Sequence, residues 1–230
     1  MSNRFKLIFF IRSLGYSLVF VGISGLVAFF APLLQAEIQY RIDHARGIKR
    51  VAESNLIAPK PEVGKPVGGQ GFGDLKVSSE QQIIPVSTDF GIVIEKINAN
   101  AKVVANVNPA SEAEYTEALK FGVAHAKGTS LPGEKGNMYL FSHSTDAPWN
   151  IIRYNAIFYL LRELELGDKV IIFYQGRRFD YEVFDKNVVP ANDTTYLTNK
   201  YANKVLTLQT CDPPGTLWKR LIIRAKLEGS

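Results

Sequence analysis

One cysteine in a chain of 230 residues rules out an internal disulfide and any metal site built from several thiolates. Three histidines, His44, His125 and His143, form no spaced ligand pair, so no metal or other cofactor is expected. Basic residues outnumber acidic ones, 27 to 22, but they are scattered. There is no run of five or six and no basic–aromatic ladder. The net charge of +5 therefore reads as a mildly basic surface, and nucleic acid is not expected as a partner.

Charge is missing altogether from residues 13–36, SLGYSLVFVGISGLVAFFAPLLQA. As a helix at 1.5 Å per residue this stretch would be about 36 Å long, enough to cross a ~30 Å hydrocarbon core. Arg4, Lys6 and Arg12 precede it and Glu37 is the first charge after it. Positive residues stay on the cytoplasmic side, so the bulk of the chain is expected outside. A secretory signal has a shorter apolar centre, about 7–15 residues. Leu34-Gln35-Ala36 is also a poor cleavage site, which favours an uncleaved, single-pass anchor over a cleaved signal. Membrane lipid is then one partner, and residues 1–12 are the cytoplasmic N-terminus. Either arrangement puts the lone thiol, Cys211, on an oxidising side of a membrane, where a cysteine is a liability unless it is used.

Residues 37–84 read as a connection. EIQYRIDHARGIKRVAESN has apolar Ile38, Ile42 and Ala45 at helical spacing, and the Pro- and Gly-rich stretch from about 57 to 75 reads as a flexible spacer. The folded domain is expected over 85–230. Its pattern is mainly β. FGIVIEKI, AKVVANV, NMYLFSH, DKVIIFY, RRFDYEVFDKNVV, KVLTLQT and KRLIIRAKL are rich in β-branched and aromatic residues and bounded by turn residues. Gln175-Gly176 marks a hairpin. SEAEYTEALK opens like a capping box, Ser111 followed by Glu114, and NAIFYLLRELE has helical spacing and stops at Gly167. Glu112, Glu114 and Glu117 on the first of these read as a solvated face, not a calcium site. Many strands with few helices mean a closed barrel or a sandwich; the period does not choose.

The chemistry concentrates near TLQTCDPPGT, residues 207–216. Taken alone, a single cysteine is most often a small apolar core residue. A cysteine nucleophile needs a base or positive charge beside it, a proton donor for the leaving group and a donor for the oxyanion. His143 ends the apolar run MYLFSH, where a side chain can turn from the core to a cleft. His125, in FGVAHAKGT, reads as structural, and His44 as solvent-facing. Arg220 follows Cys211 across DPPGT, and if the flanking strands pair through that loop the two lie near one strand end. Arg224 falls on the same face as Arg220 and reads as a solvated charge.

TLQTC followed by an arginine after a Pro-Gly turn resembles the TLxTC signature of sortases. GTSLPGEKGNMYLFSH is similar to the upstream sortase segment that ends in histidine. The resemblance covers roughly residues 88–227, and an N-terminal anchor with a spacer is also what many sortases carry. Ser142-His143-Ser144 departs from the Gly-His-Arg of many sortases, which leaves the subclass open. Asp146-Ala147-Pro148-Trp149 is similar to the lid motif of pilin-type sortases but follows the histidine instead of preceding the barrel, and is not read as a lid.

The resemblance implies a mainly β fold, a closed sortase-type β-barrel of about eight strands with short helices, behind a transmembrane helix. It implies cysteine transpeptidation at an LPxTG-like sorting signal of surface proteins. Cys211 would be the nucleophile, His143 the general acid and then base, Arg220 the oxyanion or carbonyl donor, and Thr210 a substrate contact. A peptidoglycan-precursor or pilin amine would resolve a thioester. The segment from 185 to 200 would select the motif, with no feature here that decodes it. Two other readings compete. L,D-transpeptidases resemble Ser-x-Gly-Cys with an arginine two residues on, whereas here Gln-Thr precedes the cysteine and position 213 is proline. A non-catalytic, membrane-anchored barrel that binds a surface partner would not need Cys211, His143 and Arg220 to converge.

Overall fold

The structure, a computed structural model, describes residues 3–48, 50–52, 82–144 and 157–229. The spacer from 57 to 75 and the stretch Asp146–Trp149 lie outside the described residues.

The expected anchor and the polar segment after it form one continuous helix, α1 (Asn3–Ala45). Its stretch Lys6–Ala28 has a mean hydropathy of 1.8 and is long and apolar enough to cross a membrane. Gly47, at φ 65°, ends the helix: its N–H donates to the His44 carbonyl at 3.1 Å, and Ile48 N–H to the Asp43 carbonyl at 2.9 Å. That left-handed closure suits glycine, which has no Cβ to clash. The polar end of α1 docks on the rest of the chain. Asp43, 5% exposed, accepts from Arg50 at 2.5 Å and Asn98 at 3.3 Å, and Glu37 pairs with Arg162 at 3.3 Å.

Two short parallel strands follow, β1 (Val51–Ala52) and β2 (Gln82–Ile83). The barrel strands are β3 (Phe90–Ile94), β4 (Ala99–Val107), β5 (Val123–Ala126), β6 (Gly136–Phe141), β7 (Lys169–Tyr174), β8 (Arg177–Pro190), β9 (Lys204–Asp212) and β10 (Lys219–Leu227). They close in the order β10-β8-β7-β3-β4-β5-β6-β9. Closure decides the question between barrel and sandwich that periodicity had left open. Two pairs are parallel, β4 with β5 and β6 with β9. Each needs a crossover. Helix α2 (Glu112–Leu119) lies in the first, and the β7–β8 hairpin with a single helical turn, α3 (Thr195–Thr198), in the second.

Alternation along the strands fills an eight-stranded interior with side chains. Met138 and Leu140 of β6, Leu206 and Leu208 of β9, and Leu221, Ile223 and Ala225 of β10 all join the central cluster. The expected hairpin at Gln175-Gly176 is present, with φ of 49° and 72° at the two residues. Both signs are positive, as a type I′ turn requires. Ser111 caps α2, accepting from Glu114 N–H at 3.4 Å, while the Glu114 carboxylate takes the Asn108 N–H at 2.8 Å. Glu112, Glu114 and Glu117 are exposed.

The α-helix expected from NAIFYLLRELE is instead a 3₁₀ helix, Tyr159–Glu163. Phe158, Leu161 and Leu164 recur every three residues, and all three are fully buried. A period of three eclipses them on one 3₁₀ face, which an α-helix would splay. Strand β5 was not expected at all. Its four residues, VAHA, are buried on both faces, between the barrel interior and α2, so they carry no alternation, and Val123 is their one β-branched residue.

His125 on β5 is structural. It is 3% exposed, its Nδ1 accepts the Asn106 N–H at 3.3 Å and its Nε2 lies 3.1 Å from the Ser130 carbonyl. Burial pushes its pKa below the usual histidine value. The unfolded chain therefore takes up this proton first as pH falls, so the stability that His125 supplies is complete above about pH 6.5 and declines below it. The melting temperature is expected to drop between about pH 7 and 5, and the drop to shrink in His125→Gln, as calorimetry would show. An unchanged slope in the variant would remove His125 as the cause.

The GTSLPGEKGN segment is a turn that launches β6. Ser130 N–H donates to the Asn137 carbonyl at 2.9 Å, Ser130 Oγ to the Lys135 carbonyl at 3.0 Å, and Leu131 N–H to the Glu134 carboxylate at 2.9 Å. Gly136 sits at φ 113°, and a Cβ there would collide with Ser130 Oγ. Gly136→Ala is expected to cost about 2–3 kcal/mol, combining backbone strain with a displaced side chain. Denaturant unfolding of the variant checks this; a loss below about 0.5 kcal/mol would show the turn can relax.

Candidate active site

Strands β6, β9 and β10 are neighbours, and their pairing builds the site. β9 and β10 form an antiparallel hairpin in which Arg220 stands directly opposite Cys211. Opposed residues of such a pair project from the same face, with Cα atoms about 4.5–5.5 Å apart. The interior residues Leu206 and Leu208 set the parity, so Gln209 and Cys211 project outward, together with Arg220 and Ile222 of β10.

β6 runs parallel to β9, with Phe141 opposite Gln209. Two more residues in that register bring His143 alongside Cys211. The contact continues past the last paired residue: Ser142 N–H donates to the Gln209 carbonyl at 3.2 Å, and Thr210 Oγ1 to the Ser142 carbonyl at 3.0 Å. A parallel pair brings two strand C-termini to one edge, so His143 and Cys211 come to the same edge although 68 positions apart in the chain. Cys211, His143 and Arg220 are all partly exposed.

Around them the outer face is aromatic and polar. The Tyr139 hydroxyl donates to Gln209 Oε1. Burial pushes the Tyr139 phenol well above its usual pKa, so it stays a neutral donor. Tyr115 of α2 meets Phe141 edge-on, with centroids 6.2 Å apart. Its pKa is raised, by burial first and then by Glu112, and it lies within electrostatic reach of both Arg220 and Cys211. Arg220 Nη1 donates to the carbonyls of Lys219 and Leu217, at 3.0 and 3.3 Å. Those bonds fold the guanidinium back over its own turn.

The connection from β8 to β9 is fastened next to this face. Arg224 Nε bonds Asp185 at 2.7 Å, its Nη1 bonds the Tyr201 hydroxyl at 3.2 Å, and its guanidinium lies over the rings of Phe184, Tyr196 and Tyr201. Asn137 Nδ2 donates to the Tyr196 carbonyl at 2.9 Å, and the buried Thr207 hydroxyl donates to Asn137 Oδ1 at 2.7 Å. Arg224 is therefore a partly buried hub and not the solvated charge expected from sequence. The signal was present in Phe184, Tyr196 and Tyr201, but nothing in the sequence says that they converge.

Comparison with known proteins follows the same outline. A family model described as the Sortase domain matches residues 92–228, from β3 through the end of β10. The chain belongs to the sortase family. Solved structures agree. A sortase D5 transpeptidase from Clostridium perfringens is 26% identical over 61% of this chain and 79% of its own, with a TM-score of 0.50. Sortase C-1 from Actinomyces oris is 27% identical over 61% of this chain and 73% of its own, with a TM-score of 0.51. A lid mutant of sortase A from Corynebacterium diphtheriae is 28% identical over 63% of this chain and 72% of its own, with a TM-score of 0.51. The similar sortases thus span several classes, and the subclass of this one is not resolved among them. No curated protein sequence matches the chain.

In this sortase the hairpin sets Arg220 opposite Cys211, and β6 runs parallel to β9 toward the same edge, where His143 follows. Thr210 is placed differently. It is 3% exposed, on the opposite face of β9 from Cys211, and its hydroxyl is engaged with the Ser142 carbonyl. Sequence reasoning passed over Tyr115, Tyr139 and Gln209. All three take their place from strand and helix packing, and no motif marks them.

Proposed function

We propose that this sortase is a membrane-anchored cysteine transpeptidase, with the anchor supplied by the apolar part of α1 and the barrel outside the membrane. The observation that supports the reading is the strand register, which sets Arg220 opposite Cys211 on β9–β10 and runs β6 parallel to β9 toward the same edge. Cys211 as thiolate attacks the carbonyl carbon of the scissile peptide, in a surface protein bearing an LPxTG-like signal. Arg220 stabilises the oxyanion that forms, from a guanidinium already positioned by its turn. His143 gives its proton to the departing amine, leaving a thioester on Cys211. It then takes a proton from the incoming amine, of a peptidoglycan precursor or a pilin, which displaces the thiolate and forms the new amide. Thr210 positions His143, by tying the end of β6 to β9.

The test uses full-length protein in detergent, a panel of LPxTG-like peptides and a glycine-type amine, read by mass spectrometry. Ligated product is expected for at least one peptide. No product and no adduct across the panel, with Cys211 labelled no faster than free cysteine by a thiol probe, would favour a binding barrel instead. With two titrating partners, activity is expected to be bell-shaped in pH. A flat profile from pH 5 to 9 would speak against a Cys211–His143 pair.

A further inference from the structure

The β9–β10 connection ends in an apolar tip. Leu217 and Trp218 are 74% and 75% exposed, more than any other large apolar residue described outside α1. Neighbouring apolar side chains held in water forgo on the order of 1.5–3 kcal/mol each that burial would supply. The direction in which this tip projects follows from the docked end of α1.

A chain of contacts sets the alignment. Asp43 bonds Asn98, just before β4, and Glu37 bonds Arg162 further toward the N-terminus of the helix. The Arg162 and Leu164 carbonyls accept from Lys186, in the second half of β8. In the same direction, Lys96 bonds Asp168 beside Lys169, which pairs with Glu182, four residues earlier on β8. Going down α1 from Asp43 to Glu37 is therefore going along β8 from Glu182 to Lys186. β8 continues to Pro190, which pairs with Lys219 at the start of β10. The tip at Leu217 and Trp218 thus lies on the side toward which α1 runs into the membrane-length stretch Lys6–Ala28.

We infer that Leu217 and Trp218 insert into the lipid bilayer at its interface and hold the Cys211 edge at the membrane surface. The inference rests on the reading of α1 as a membrane anchor. A tryptophan suits this depth, with an apolar ring and a polar N–H. Lys219, exposed beside it, supplies a positive charge for anionic headgroups. Arg220 lies two residues above Trp218, so the thiol edge opens just over the headgroups and favours substrates that are themselves tethered to the membrane.

Full-length chain carrying Trp149→Phe, so that Trp218 is the only tryptophan, is reconstituted in phosphatidylcholine–phosphatidylglycerol vesicles with and without brominated phosphatidylcholine. Trp218 emission is expected to be blue-shifted, to fall roughly twofold or more with brominated lipid, and to resist aqueous iodide. A chain that floats with the vesicles while Trp218 ignores brominated lipid and is quenched freely by iodide overturns the inference and leaves the anchor standing. A chain that does not float overturns the anchor reading, and this one with it. In a second arm, Trp218→Ser in the otherwise unaltered chain is expected to slow turnover of a vesicle-tethered peptide about tenfold while turnover of the same peptide free in solution holds. Equal slowing of both would mean that Trp218 touches substrate, and would overturn lipid insertion.

Discussion

Cys211→Ala is expected to lower transpeptidation by at least about a thousandfold, and His143→Ala by a comparable factor, while the double variant is scarcely worse than either. The reason is that the two act on one event. Without the thiol there is no nucleophile for the imidazole to serve. Without the imidazole the departing amine has no proton donor beside the thioester carbon. Both side chains are partly exposed and lie outside the central apolar cluster, so their removal leaves no large cavity. Unfolding midpoints are therefore expected within about 0.5 kcal/mol of the parent, which separates lost chemistry from lost fold. Rates from all three variants in the peptide-ligation assay check this. Effects that multiply independently would show that His143 works apart from Cys211.

Arg220→Ala is expected to lower kcat/KM about 100- to 1,000-fold, the usual cost of deleting one oxyanion donor. Arg220→Lys is expected to recover only a small part of it. An ammonium keeps the charge but not the planar fork, and its position would no longer be set by the Lys219 and Leu217 carbonyls. The loss should fall on kcat more than on KM if the guanidinium meets charge that develops only during attack. Full activity in Arg220→Lys would reduce Arg220 to a general positive charge near the thiol, and a pure KM effect would make it a binding group for the ground state.

Local signals carried much of this structure. Alternation in KVLTLQTC and KRLIIRAKL, with the Pro-Pro-Gly turn between them, put Cys211 and Arg220 near one strand end if the two strands paired, and they do pair, with Arg220 opposite Cys211. The charge-free stretch announced the long helix, and Gln175-Gly176 announced its hairpin. The sequence could not show that β6 lies parallel to β9. That pairing depends on a crossover of more than sixty residues, and it alone carries His143 toward the edge that holds Cys211. β5 escaped because a strand buried on both faces loses its alternation. The 3₁₀ turn escaped because spacing of three residues over a short run passes for helical spacing of three and four. Thr210 and Arg224 escaped for a third reason. Each owes its role to partners from distant segments, Ser142 for one, and Asp185, Tyr196 and Tyr201 for the other.

The central claim is that Cys211 carries the acyl group between the two amines. Full-length protein is mixed with the peptide it turns over, quenched in acid within one turnover, and measured by intact mass and peptide mapping. The account predicts a hydroxylamine-labile adduct, equal in mass to the acyl half of the peptide, on the fragment containing Cys211, and none in Cys211→Ala. Steady ligation with no adduct at Cys211, or ligation that survives Cys211→Ala, would contradict it.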